Sequence, residues 1–212
     1  MTTMNPVKLV WVTPDAEQLV ARMARVSNPA NQNNPASAPK LLKYLIDNKH
    51  WSPFEMVNIC MEIETTRDIA RQILRHRSFS FQEFSQRYAV SEGFIQNSEA
   101  RLQDDKNRQN SLATDDVGLK QQWEAIQRRV VTDAKLMYTK ALDMGIAKEV
   151  ARKLLPEGLT MSKMYMNGTL RSWLHYVSIR CDPATQKEHR DVAEQCRAII
   201  FAEFPSLKDM TV

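Results

Sequence analysis

The chain has 212 residues, 43% of them hydrophobic and 25% charged, and a formal net charge of +4. That balance fits a folded chain with a real core and excludes a disordered one. No apolar run approaches the ~20 residues a membrane helix needs, and so small a basic excess points to an anionic partner only where the cations cluster.

In chain order, VKLVWV at 7–12 is predicted to be a strand. Thr13 and Pro14 mark a helix start, and Ala16, Leu19, Val20 and Met23 recur at helical spacing to about Val26. The segment 27–39 is polar, holds three prolines and reads as a loop. LLKYLI opens a helix that ends near Asn48, and HWSPFE at 50–55 is a proline-marked turn. From Val57 to Glu64 apolar and polar residues alternate. Val57, Ile59, Met61 and Ile63 face one way and Asn58, Cys60, Glu62 and Glu64 the other, as in a half-buried strand. Thr66 then caps a helix from Arg67 to about His76.

Residues 91–118 are polar and read as a surface excursion. A long helix follows from about Leu119 to Met144. Trp123, Ile126, Val130, Ala134, Met137 and Ala141 form its expected buried stripe, and Gly145 its end. IAKEVARKLL is a short helix stopped by Pro156. Residues 159–166 read as a strand and Asn167–Gly168 as a turn. TLRSWLHYVSIR is helical with Leu170, Trp173, Leu174 and Val177 on one face. Asp182 and Pro183 open a last helix to about Phe204. Several helices with few strands give an α+β fold, expected as a single domain over 1–212. Cys60, Cys181 and Cys196 are odd in number and widely spaced, which suits neither a disulfide framework nor a metal site. With no basic-then-apolar leader in the sequence, a cytoplasmic protein is expected.

The cations cluster in RDIARQILRHRSFSFQEFSQRY, residues 67–88, where five arginines and one histidine accompany three phenylalanines. On a helix Arg67, Arg71 and Arg75 share one face. A solvated basic face is the ordinary explanation of such a row. Here Asp68 is the only acid nearby before Glu83, and SFSFQEF suits a structured loop. Arginine offers a planar fork to phosphate and stacks on flat rings, while Gln and Glu match the polar edge of a base. A nucleotide is the simplest ligand with those parts. A nucleic-acid-binding module would use the same residues, but the net charge is small for one.

RHR, seven residues and a serine, continuing into QRY, resembles the motif of the flavin-dependent thymidylate synthases, the ThyX family. ARVSN at 24–28, HWSPFE at 50–55, EVARKLLP at 149–156 and LRSWLHYVSIRCDPATQKE at 170–188 resemble further family blocks in the same order. The resemblance implies a mixed or antiparallel central sheet with flanking long helices. It implies methylation of dUMP to dTMP, with methylenetetrahydrofolate as carbon donor, NADPH as reductant and FAD as cofactor. It also implies a homotetramer with active sites between subunits, and neither a nucleic-acid nor a membrane partner. Gln72, Arg75, Glu83, Ser85, Gln86 and Arg87 match positions that hold dUMP, joined by Arg152 and Arg180. Arg180 matches the catalytic arginine beside the uracil. Around FAD the matches are Ser27, Ser52, Glu55, Arg75, His76 and Arg77, then Ser78, Gln82, Glu83, Thr169, Arg171 and His175. His50 matches a histidine on the flavin and folate face. Ser85 is read as a binding residue, because nothing local supplies the base that a nucleophile needs. Cys181, though beside Arg180, is given no catalytic part. Gln82 stands where asparagine is common, Thr169 stands where an asparagine is expected unless Asn167 takes its flavin contact, and Ala184 replaces a histidine seen in some members. A flavoprotein that binds a nucleotide without methylating it is the other alternative to the synthase.

Overall fold

The structure is a computed structural model and describes residues 6–94 and 98–208. Along the chain run β1 (Val7–Val12), α1 (Ala16–Ala24), α2 (Ala38–Asp47), β2 (Asn58–Thr66), α3 (Arg67–Ile73) and β3 (Ser80–Glu83). Then follow β4 (Arg101–Gln103), β5 (Ser111–Ala113), α4 (Val117–Asp143), α5 (Lys148–Ala151), β6 (Met161–Thr169), α6 (Leu170–Arg180) and α7 (Lys187–Glu203).

The alternation in β2 organises the molecule. Ile59, Met61 and Ile63 are fully buried on the core face, while Glu62 and Glu64 lie on the other. On that outer face Lys163 bridges Glu62 and Glu64. β2 pairs with β1 on one side and β6 on the other, and β3 adds to β6, so the sheet order is β1-β2-β6-β3 and every pairing is antiparallel. The expected α+β architecture with a central antiparallel sheet is therefore present. The core joins Met164 and Met166 of β6 to Val20, Leu42, Ile69, Ile73, Trp173, Val192 and Ile200 from the covering helices. The Trp173 indole N–H donates to the Ile59 carbonyl at 3.0 Å, which leaves this large buried ring without an unmet polar group.

Several boundaries differ from expectation for identifiable reasons. Asn167 and Gly168 are not a turn; they lie inside β6, where Gly168 pairs with Ile59. A Cβ at Gly168 would sit 2.4 Å from the Phe79 ring, so the glycine serves a close approach. SFSFQEF, read as a loop, supplies β3, a strand short enough that its alternation covers only four residues. The last helix starts at Lys187 rather than Asp182, whose carboxylate accepts from the Ala184 N–H at 2.8 Å and holds a turn. α1 starts at Ala16, behind Asp15 in the left-handed region at φ 52°. The 27–39 loop is pinned by Arg25, which donates to the Asn34 carbonyl at 2.6 Å and to Ser37 Oγ at 2.8 Å. Within the polar excursion, apart from residues 95–97 outside the described set, β4 and β5 form a hairpin.

The largest correction concerns α4. Its stripe was expected to be buried, yet Trp123, Ile126, Val130 and Met137 are 38%, 56%, 41% and 47% exposed. The side that packs carries Gln127 and Tyr138, with Ala141 and Leu142 against Ala151 and Leu155. The periodicity is real, but apart from the Trp123 indole N–H, which donates to the Ser98 carbonyl at 3.0 Å, most of the stripe is open to solvent.

Candidate active site

β6 runs into α6 without a loop. The Leu170 N–H donates to the Val57 carbonyl at 2.9 Å, and the Thr169 hydroxyl caps α6 by accepting from the Ser172 N–H at 3.2 Å. Burial of Leu170, Trp173, Leu174 and Val177 turns the opposite face of α6 outward. Arg171, His175 and Ser178 on that face join Trp51, Glu55, Ser78 and Ser172 around a cleft of about 400 Å³. Arg171 forms an ion pair with Glu55 across it. Ser172 Oγ donates to the Ser78 carbonyl at 3.3 Å and ties α6 to the RHRS segment.

At the far end of α6, Arg180 Nε donates to His76 Nε2 at 2.9 Å. His76 is thus the acceptor, with its proton on Nδ1. Burial, with the Arg180 charge next and His175 and Arg75 beyond, lowers its pKa from the usual 6.5 to about 4. Its ring meets Tyr176 edge-on at 4.9 Å, and behind Tyr176 lies the fully buried His189. Burial first, then Arg180 and His76, lower the His189 pKa to about 3. Near neutral pH both rings are therefore uncharged.

Residues 8–206 match the family described as Thymidylate synthase complementing protein. Over 192 residues the chain is 50% identical to the probable flavin-dependent thymidylate synthase of Paramecium bursaria Chlorella virus 1, covering 91% of this chain and 88% of that protein. Over 191 residues it is 52% identical to the flavin-dependent thymidylate synthase of Synechocystis sp., covering 90% and 87%. The chain belongs to the flavin-dependent thymidylate synthase family. The fold agrees: a UMP/dUMP methylase, PolB from Streptomyces cacaoi bound with 5-Br dUMP, superposes with a TM-score of 0.84 at 26% identity, covering 98% of this chain and 96% of that one.

The remaining family-matched residues divide into groups. Glu55, Ser78, Arg171 and His175 line the cleft, and the Thr169 hydroxyl is engaged in capping α6 and in donating to Ser172 Oγ of the cleft wall at 3.1 Å. Arg75 and Arg77 are exposed on either side of His76, and Gln82 is exposed on β3. Glu83 accepts from the Ser162 hydroxyl at 2.7 Å and meets Arg67 at 3.3 Å. Arg87 and Arg152 gather around Glu149, with Ser85 bonded locally to the Arg87 backbone. Arg87 pairs with its carboxylate at 3.2 Å, Arg152 Nε donates to its carbonyl at 3.3 Å, and Ser85 Oγ accepts from the Arg87 N–H at 3.3 Å. Gln86 turns inward and donates to Ser91 Oγ at 3.3 Å. Ser52 opens onto a separate groove with Leu19, Met23, Val26 and Met56, while Ser27 is exposed and the exposed His50 packs edge-on to Tyr44 at 6.1 Å. The arginine row is better paired than its local sequence implies, because Arg71 meets Glu157 from far along the chain.

Cys181 gains nothing from its neighbour: burial raises its thiol pKa, and the cation that opposes this is Arg197, not Arg180. Trp51, Ser172 and Ser178 escaped the sequence reading. Ser178 was findable, since it stands three residues after His175 and seven after Arg171 on one helical face. Tyr176 and His189 were missed because a buried polar residue carries no periodic signal.

Proposed function

We propose that this chain methylates dUMP to dTMP with FAD bound, taking the carbon from methylenetetrahydrofolate and reducing equivalents from NADPH, as a single-domain cytoplasmic enzyme assembled into a homotetramer. The balance closes: a methylene group and a hydride go to the pyrimidine, which loses a ring proton, and the folate leaves at the tetrahydro level. The pairing of Arg180 with His76 beside an Arg–His–Ser-lined cleft, in a chain half identical to enzymes of that name, carries this reading.

The cleft suits part of a flavin dinucleotide. Arg171 offers a fork to a diphosphate, the Ser78, Ser172 and Ser178 hydroxyls offer short polar contacts, and Trp51 offers a flat wall. When bound, FAD would supply the means of carrying a hydride from NADPH to the new carbon. Ser27, Ser52, Arg75, Arg77, Gln82, Glu83 and Thr169 are assigned to the same cofactor by family match, and His50 to the folate side.

Arg180 lies next to the uracil in this proposal. Its fixed charge favours the electron-rich ring that attacks the carbon donor, and neutral His76 aims the guanidinium without repelling it. Gln72, Arg75, Ser85, Gln86, Arg87 and Arg152 bind the nucleotide, the arginines neutralising its phosphate. Glu83 reaches both ligands after parting from Ser162. These groups come from separate parts of one chain, and a site shared between subunits reunites them. The exposed α4 stripe supplies the surface for such an assembly. Free cysteines at 60, 181 and 196 suit a reducing compartment.

The test is an anaerobic visible spectrum of the protein with FAD, titrated with NADPH and dUMP, followed by assay for dTMP. Bleaching by NADPH, a dUMP-dependent spectral change and dTMP formation are expected. A protein that binds no flavin would overturn the reading.

A further inference from the structure

Gln72, half-buried on α3, lies in the middle of a hydrogen-bond chain whose every direction can be assigned. A carboxylate only accepts, so the start is Glu188. It accepts from Arg101 of β4 at 2.6 and 2.9 Å. It also accepts from Gln186 Nε2 at 3.1 Å. The Gln186 amide is thereby oriented, and its Oε1 accepts from Gln72 Nε2 at 2.8 Å. Gln72 Oε1 consequently faces His189 Nδ1 at 3.3 Å, which must donate. His189 Nε2 is left to accept from the Tyr176 hydroxyl at 3.1 Å. Tyr176 packs on His76, the ring that holds Arg180.

We propose that Arg101, Glu188, Gln186, His189 and Tyr176 are positioning residues of the nucleotide site: as one directed relay they fix which end of the Gln72 amide meets a bound pyrimidine nucleotide. The inference rests on the assignment of Gln72 to dUMP under the proposed function. An unanchored amide presents its oxygen or its nitrogen with little preference, and a ligand must select one. Here the choice is made beforehand. One N–H of Gln72 is committed to Gln186 and the other stays available, so the amide offers a donor to an oxygen of the nucleotide. Pre-orientation of this kind lowers the cost of binding.

The relay also gives the polar excursion a task. Arg101 belongs to the β4–β5 hairpin, where its Nε donates to Ser111 Oγ at 2.8 Å, and Glu99 lies 3.5 Å from its Nη1. The hairpin therefore sets the polarity of an amide on α3 through Glu188. A purely structural network would need its groups satisfied but would be indifferent to the direction in which the exposed Gln186 amide points.

The full-length FAD-bound protein tests this with Glu188→Gln, which keeps shape but removes the acceptor-only anchor, and with Gln186→Ala at an exposed position. Calorimetry with dUMP should show about three- to tenfold weaker binding in both, with FAD retention and thermal midpoint near wild type. KM for dUMP should rise more than kcat falls. Long-range proton–nitrogen correlation spectra should find wild-type His189 in the Nδ1–H form, with that fraction falling in Glu188→Gln. Unchanged dUMP affinity in both variants of a wild type that binds dUMP overturns the relay alone, as does His189 in the Nε2–H form. A wild type that binds no dUMP overturns the proposed function and this inference together.

Discussion

Arg180 and His76 show how one residue sets the state of another. A histidine that accepts from a guanidinium cannot also be protonated at that nitrogen, so the pair stays single-charged. Arg180→Ala should abolish dTMP formation while leaving FAD bound, read from product chromatography beside the flavin spectrum; near-normal turnover would remove its assigned role. The two buried histidines also predict a pH response. Their folded pKa values, about 4 for His76 and about 3 for His189, lie below the usual 6.5, so the unfolded chain takes up protons first as pH falls. Their contribution to stability is intact above about pH 6.5 and is lost progressively as pH falls toward 4 and then 3. Hydrogen bonds from Tyr165 and Arg71 hold the Glu62 and Glu157 carboxylates below the usual carboxylate range, so a falling urea midpoint between about pH 7 and about pH 5 reports the histidines. A flat midpoint over that interval would show that their rings are not held neutral by the fold.

Secondary-structure elements were legible in proportion to how much a single periodic pattern decides them. β2 and α6 each bury one clean face, and their residues stood out at once. The end of β6 did not. Asn–Gly is turn chemistry, and only the neighbouring Phe79 ring explains why this Gly168 stays extended. Gly168→Ala should cost about 1–3 kcal/mol, because the added carbon lands on a packed aromatic that also meets Trp173 edge-on at 4.9 Å. A melting midpoint equal to wild type would mean that Phe79 moves freely. The site divided in the same way. Motif residues were readable because their spacing is local, and the cleft face of α6 because it opposes an apolar stripe. Tyr176, Gln186 and the path from Arg101 were not, since they meet only through the third dimension.

At the scale of the whole molecule, the α4 stripe is the feature that one chain leaves unfinished. Its positions 123, 126, 130, 134 and 137 read the same from either end around Val130. An antiparallel pairing with a second copy would set Val130 on the two-fold axis, Trp123 against the flexible Met137 and Ile126 against the small Ala134. Val130→Asp should therefore lower the oligomeric mass by light scattering while helical circular dichroism persists; an unchanged mass would place the interface elsewhere. The sheet order carries a different consequence, for how the molecule comes to exist at all. β2 lies between β1, made early, and β6, made late, with Asn58 opposite Thr169 and Thr66 opposite Met161. The chain must close a long loop before its central strand gains a second neighbour, a high-contact-order topology that folds slowly. During synthesis the edge of β2 waits unpaired while α4 is still emerging, exposed to other nascent chains. Arg75 and His76 precede that closure and Arg180 follows it, so the pairing of Arg180 with His76 is among the last things folding makes.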